Sequence, residues 1–443
     1  MGRMRDVSER TTDAGKGGVG RRVGASAVRA TRSLRARNYR LYFTGQGISL
    51  IGTWMQRVAM AWLVYRLSGS AFVLGLVGFA GRIPTLLLAP FAGVAADRLD
   101  RRRILYVTQS LSMVQALALA ALVLAGVVEV WHVLLLATLL GVLESFDIPA
   151  RQSFFVHLID DPADLGNAIA LNSSAFNIAR LIGPAIAGGL IVAVGEGWLF
   201  AVNGLTYLAM LAALLLIRVA PREGRERSNG VLRNLGEGFR FVWGFPAMRA
   251  VLLLVMVSSF FAVPFVVLMP IFATDVLGGG AGTLGLLMGA QGVGALAGAL
   301  YLASRETTTG LGPLIALAAT LFGTGLLLFG ASTTIWLSLP VLALAGFGLM
   351  VQTASSNTFL QSNVGDAMRG RIMSLYTMAF MGTLPLGSLY AGWVAEHLGA
   401  RFTVMLGGAV ALVAAALFRR RLPALRSDTA ERRARRHEPA PAA

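Results

Sequence analysis

Of 443 residues, 56% are hydrophobic and only 14% charged, a balance far from that of a soluble globular protein and one that implies a polytopic membrane protein. The formal charge of +17 would suggest nucleic acid in a soluble chain, but here the arginines sit in the tails and in alternate loops, where the positive-inside rule puts them, and no nucleic-acid partner is expected. The absence of cysteine and the scatter of the four histidines exclude disulfides, thiol catalysis and a clustered metal site.

Residues 1–40 are rich in Arg, Gly, Ser and Thr and read as a disordered basic cytoplasmic tail. Arg21-Arg22 is not followed before Tyr42 by the apolar segment, about 7–15 residues long, that an export signal needs. Apolar runs near the length of a bilayer crossing then fall at 41–65, 71–96, 104–126, 131–150, 167–194, 198–217, 250–275, 283–303, 311–330, 335–357, 372–395 and 401–419. Twelve spans place both termini inside: Arg98, Arg101, Arg102, Arg103, Arg151, Arg305, Arg369 and Arg371 fall in inner turns, and the outer turns hold little beyond Arg66 and Arg401. Two six-helix bundles (41–217 and 250–419), a linker at 218–249 and a basic cytoplasmic tail at 420–443 follow. In the linker Leu232, Leu235, Phe239 and Val242 recur at helical spacing with Arg233 and Arg240 off that face, as in a surface-lying amphipathic helix, although Gly236 and Gly238 weaken it.

An internal repeat supports the two halves. Leu74-Gly75-Leu76 recurs as Leu284-Gly285-Leu286, while Ala175-Phe176, Gly183, Ala187-Gly188 and Gly195 align with Ala379-Phe380, Gly387, Ala391-Gly392 and Gly399. The charged knot from Gly93 to Arg103, between the second and third spans, can only be a tight turn at a membrane surface.

Twelve spans as six plus six, a basic central loop and this knot together resemble the major facilitator superfamily. Its signature, Gly-x-Leu-Ala-Asp-Arg-x-Gly-Arg-Lys, is matched at Gly93, Ala96, Asp97, Arg98, Arg101 and, conservatively, Arg102. Asp100 stands where the family has glycine, and aspartate tolerates a left-handed backbone better than most residues. The run Gly-Gln-Gly-Ile-Ser-Leu-Ile-Gly-Thr-Trp-Met-Gln-Arg ending at Arg57, and Asp147-Ile-Pro-Ala-Arg-Gln-Ser-Phe-Phe, are similar to the enterobactin-exporter-like branch of drug–proton antiporters. The resemblance implies an all-α fold of two pseudo-symmetric bundles. It also implies that Asp147 pairs with Arg101 and that Asp97 holds the start of the eleventh span. Asp97, Arg101 and Asp147 thus form a cytoplasmic gate, with Gly93, Arg98 and Arg102 in the same turn.

Charged side chains inside a span cost about 2.5–3.5 kcal/mol on insertion scales and need a reason. In the first span Gln46, Ser49, Thr53, Gln56 and Arg57 form a polar stripe that either faces a water-filled cavity or bonds between packed helices. In the fifth, Asn172, Phe176, Asn177, Arg180 and Pro184 share a face, with Arg180 about 20 Å from the cytoplasmic end at helical rise. Arg57, Arg82 and Arg180 either make the half-cavity electropositive, favouring an acidic substrate, or, for Arg82 and Arg180, serve backbone carbonyls freed at Pro84 and Pro184. Gln352 of the tenth span completes the candidate cavity. Glu144 is the candidate proton site, with a second gate acid as the competing reading.

Gly183-Pro184-Ala185-Ile186-Ala187-Gly188-Gly189 resembles the Gly-Pro-x-x-Gly-Gly motif of proton-coupled exporters, with Ala187 replacing a glycine; a hinge of small residues explains the same pattern. Gly292-x-Gly294 lies inside an apolar span and reads as helix packing, and no phosphate-binding loop occurs. The expectation is therefore no enzyme and no cofactor, but a monomeric plasma-membrane transporter in a bacterial bilayer. It would export a small molecule (a siderophore, drug or secondary metabolite) by proton antiport with alternating access. An importer or uniporter of a small organic anion, and a non-transporting membrane sensor or assembly protein, are the rivals.

Overall fold

In a computed structural model, residues 32–218, 231–305, 307 and 309–437 are described, without the side chains of 90, 97, 231–235, 366, 367 and 423–437. The expectations for Leu232, Arg233, Leu235 and most of the N-terminal tail lie outside the described residues or side chains. Every regular element among the described residues is helical. Among the described residues eleven helical stretches are long and apolar enough to cross a membrane. Helix α1 (Arg37–Ser68), diluted by its polar stripe, is the twelfth: its 32 residues would reach about 48 Å and it packs along the other helices.

The second span is two pieces, α2 (Ala71–Ala80) and α3 (Ile83–Arg98), broken where Gly81 and Arg82 precede Pro84. Then come α4 (Arg101–Leu124), α5 (Val130–Val156), α6 (Leu165–Val194) and α7 (Glu196–Leu216). The linker does form a helix, α8 (Val231–Trp243). It packs by Val242 into a core with Ile372 and Leu375, and Glu237 pairs with Arg371 at 2.5 Å. Gly238 helps rather than hinders, because any Cβ there would press on Arg371.

The seventh span begins as α9 (Pro246–Val257) and then, from Ser258 to Val276, passes through π and 3-10 turns around Pro264 and Pro270. It is followed by α10 (Ala281–Ala303), α11 (Leu311–Ala331) and α12 (Ile335–Ser362). The eleventh span is α13 (Asp366–Thr377), a π turn at Met378–Gly382, and α14 (Leu384–Leu398). The last helix, α15 (Ala400–His437), runs well past 419, though its apolar part ends at Leu422.

Within the first part of the chain α1 packs on α6 and α7, α4 on α5 and α7, and α3 on α5; within the second α12 packs on α10 and α11, and α11 on α15. Among the described residues the two most extensive contacts between the parts are α6 with α10 and α2 with α14. At each bridge two glycines meet. A Cβ on Gly188 would lie 2.8 Å from the Cα of Gly285, and one on Gly75 would lie 2.8 Å from that of Gly392. These are the residues the internal repeat aligns, so the two crossings are related by its pseudo-symmetry. Both lie toward the ends of the helices that carry few arginines.

Candidate functional site

At the arginine-rich end the knot is a short turn between α3 and α4. Asp100 is extended, with φ −62° and ψ 112°, and caps α4 by accepting from the backbone N–H of Arg102 (2.8 Å) and Arg103 (3.3 Å). It is not left-handed: aspartate replaces the family glycine by starting the next helix. Gly93 has open space where a Cβ would go and Arg98 is exposed. Arg102 donates to the Leu215 carbonyl at 3.3 Å, tying the turn to the end of α7.

Arg101 and Asp147 are not brought together. Arg101 donates to the Ala96 carbonyl (3.2 Å) and lies 3.1 Å from a ring nitrogen of His157. Buried Asp147 pairs with Arg151, one turn along the same helix, and accepts from Thr108 (2.9 Å) and Gln109 (2.7 Å). Sequence reasoning missed both Arg151 and His157 as partners, although Arg151 stands at the i+4 position where a helical ion pair forms. The side chain of Asp97 lies outside the described residues.

Deeper in the first half, Arg57 donates to Glu144 at 2.6 Å. The guanidinium also sits 5.1 Å from the ring centre of Trp54, which meets Phe176 edge-on at 5.7 Å. Thus α1, α5 and α6 contribute to one wall of acid, cation and aromatic rings, all partly exposed. The pair lowers the cost of two embedded charges.

The polar stripe of α1 divides. Thr53 and Arg57 are partly exposed, whereas Gln56 is 1% exposed, donates to Gln115 at 2.9 Å and accepts from Asn203. Gln56 therefore belongs to the contact of α1 with α4 and α7, not to the cavity. Gln46 is buried as well, its carbonyl oxygen without a hydrogen bond among the described residues. Asn177 turns back to the Ser173 carbonyl of its own helix at 2.9 Å.

Arg82 serves the backbone. Its N–H bonds to Phe79 (3.0 Å) rather than Gly78, and its guanidinium reaches the Gly78 carbonyl so released at 3.4 Å. The break is packed by Gly141 of α5, where a Cβ would strike the Gly81 carbonyl. Arg180 makes no hydrogen bond or ion pair among the described residues, so the carbonyls near Pro184 do not hold it. Gly183 lets α6 lie against α1, since a Cβ would come 2.6 Å from that of Trp54. Pro184 sits inside an unbroken helix and its carbonyl faces Gly285.

In the second half Gln352 is fully buried and donates to Ser258 at 2.9 Å, so it too is a packing residue. The open face of α12 is instead the set Met350, Thr353, Ala354, Asn357 and Thr358, at helical spacing. With Tyr376, Thr377, Phe380 and Met381 it lines a cleft of about 480 Å³. Tyr376 is anchored by its hydroxyl to the Thr353 carbonyl at 2.9 Å. The signal was in the chain: Thr353, Asn357 and Thr358 share a face of an apolar span, and Phe380 is the repeat partner of Phe176.

The model of the transmembrane secretion effector family, a branch of the major facilitator superfamily, matches residues 29–443. The chain is 26% identical over 361 residues to the staphyloferrin A transporter of Staphylococcus aureus, covering 81% of this chain and 89% of that one. It is 28% identical over 370 residues to the multidrug efflux pump Tap of Mycolicibacterium fortuitum, covering 82% and 88%. Among solved structures, a bacterial homologue of the lysosomal transporter Spinster in an inward-facing, occupied conformation matches with a TM-score of 0.67 at 14% identity, over 89% of this chain and 98% of that one. A nucleoside transporter, NupG, matches with a TM-score of 0.66 at 13% identity, over 87% and 98%. A twelve-helix bundle with charged and aromatic walls, matched along nearly its whole length, is a bacterial multi-pass plasma-membrane transporter of small molecules and no enzyme: the chain belongs to the transmembrane secretion effector family of the major facilitator superfamily.

Proposed function

We propose that the protein exports a small molecule (a siderophore, drug or secondary metabolite) in exchange for protons, by rocking of the 41–217 bundle against the 250–419 bundle. In this reading the arginine-rich face, both tails and the 218–249 linker are cytoplasmic, the protein works as a monomer, and the proton gradient takes the place of a cofactor. The names of the relatives, a staphyloferrin A transporter and multidrug efflux pumps, support the direction and the substrate class. The observation that carries the coupling is the Arg57–Glu144 pair beside the aromatic wall.

The sign of the linkage follows from that pair. A proton on Glu144 removes the charge that neutralises Arg57. A substrate that donates to the Glu144 carboxylate competes with the proton, and competition is what antiport requires. An acidic group on Arg57 would instead favour protonation of Glu144, so anion and proton would travel together. For an exporter the acidic end of a substrate therefore belongs at Arg180, which has no partner among the described residues. The same geometry supports a second reading, entry of an organic anion with a proton, if the acid docks on Arg57.

Transport by the protein in proteoliposomes under an imposed pH gradient separates the two. Antiport predicts substrate movement against the proton flow, abolished in Glu144→Gln while substrate exchange without a gradient persists. Movement with the proton flow supports the second reading, and a normal pH response in Glu144→Gln removes Glu144 from the mechanism.

A further inference from the structure

The glycine crossings are twofold related, but what surrounds them is not. Beyond Gly188 and Gly285, the next contact toward the arginine-poor end is apolar: the Val192 side chain would meet a Cβ on Gly282 at 3.6 Å. Beyond Gly75 and Gly392, the residue equivalent to Val192 in the repeat is Glu396. Its carboxylate reaches from α14 to the start of α2, accepting from the Ser70 hydroxyl and the Phe72 N–H, both at 3.0 Å. It thus satisfies an orphan N–H and meets the positive end of a ten-residue helix belonging to the other half. Ser70 completes the junction by capping the same helix through Val73.

A second carboxylate repeats the arrangement. Asp275, at the end of the seventh span, accepts from the Tyr65 hydroxyl of α1, and its other oxygen accepts from Thr274 at 2.7 Å. In both contacts the second half supplies an acid and the first half supplies neutral donors. At the Val192 crossing the position equivalent to Glu396 is apolar, so a glycine contact of this kind forms without an acid at that position.

We propose that Glu396 and Asp275 form a two-point latch that holds the halves together at the arginine-poor face, and so sets how readily that side of the pathway opens. Both acids are exposed, so each bond is of the weak, reversible kind that a rocking motion can break in every cycle. The inference rests on the rocking proposed above.

The chain has no cysteine, so single reporters can be placed without background. Ser388 is 2% exposed and lies in the seam, 3.2 Å from where a Cβ on Gly78 would be. Ser388→Cys, labelled with a membrane-impermeant maleimide in oriented vesicles, reports opening of the arginine-poor side. Asn357→Cys, in the cleft toward the other end, reports the reciprocal state. Adding Glu396→Ala or Asp275→Asn should raise the labelling rate at position 388 by about three- to tenfold, the size expected of one capping interaction, and lower it at position 357. Glu129→Gln, whose acid bonds Trp131 within its own half, serves as control and should change neither. Unchanged labelling at 388 in both variants, an equal rise in the control, or a rise at both reporters from loosened folding overturns the latch. Position 388 unlabelled in the parent under every gradient overturns the rocking itself, whereas equal labelling of parent and variants overturns the latch alone.

Discussion

Arg57, Arg82 and Arg180 lie in spans of the same half and meet three different fates: an ion pair, a broken backbone and no partner among the described residues. The difference has measurable consequences. Arg57→Gln should lower stability toward thermal or detergent unfolding by about 1–2 kcal/mol, less than for a fully buried pair because both side chains keep some exposure, and Glu144→Gln on top should restore most of it. Arg180→Gln should leave stability within about 0.5 kcal/mol yet weaken an acidic substrate far more than a neutral one in a binding titration. Equal stability losses at both arginines would show that Arg180 is structural after all. Residue type and depth were legible in the sequence, because charge inside an apolar run is conspicuous. Partners were not: helical spacing tells which side chains share a face, but not which neighbour lies against it. That is why Gln56 and Gln352, assigned to the cavity, prove to bridge helices, and why Asp147 meets Arg151 rather than Arg101.

Spans were legible as elements because each is an apolar run of bilayer length, and the breaks inside them were legible only in part. Gly81-Arg82-Ile83-Pro84 marks the break in the second span. The irregular course from Ser258 to Val276 was not read, because hydropathy records the apolar side chains around Pro264 and Pro270 and is blind to the backbone bonds they remove. The repeat was the most informative element-scale signal, since its glycines turn out to be the contact points of the halves. Gly188 and Gly189 separate contact from mere composition. A Cβ on Gly188 would lie 2.8 Å from the Gly285 Cα, whereas one on Gly189 meets nothing within 4 Å. Gly188→Ala should push α6 off α10 and cut transport in proteoliposomes by at least about tenfold, the scale of a 1.4 kcal/mol bias between states. Gly189→Ala should transport like the parent, and equal losses would mean that the motif acts through helix propensity rather than close approach.

The molecule as a whole is polarised, and its two exceptions strengthen the asymmetry. Arg98, Arg101, Arg102, Arg103, Arg151, Arg218, Arg240, Arg249, Arg305, Arg369 and Arg371 gather at one end, against Arg66 and Arg401 at the other. Arg66 is paired with Glu196, and Arg401 donates to the carbonyls of Gly330 (2.9 Å) and Ala331 (2.8 Å), closing the last turn of α11. Both arginines at the sparse end are thus committed to the fold. Those at the dense end include exposed residues such as Arg98, the kind that the positive-inside rule counts. If that rule sets the orientation, Val127→Cys, exposed between α4 and α5, should react with a membrane-impermeant maleimide in intact cells. Ser304→Cys, exposed after α10, should react only once the cells are permeabilised. The reverse pattern would invert the topology. The latch would then face the cytoplasm, whereas the exchange derived for Glu144 would keep its direction, because the proton gradient and not the orientation of the carrier sets which way the coupled substrate moves.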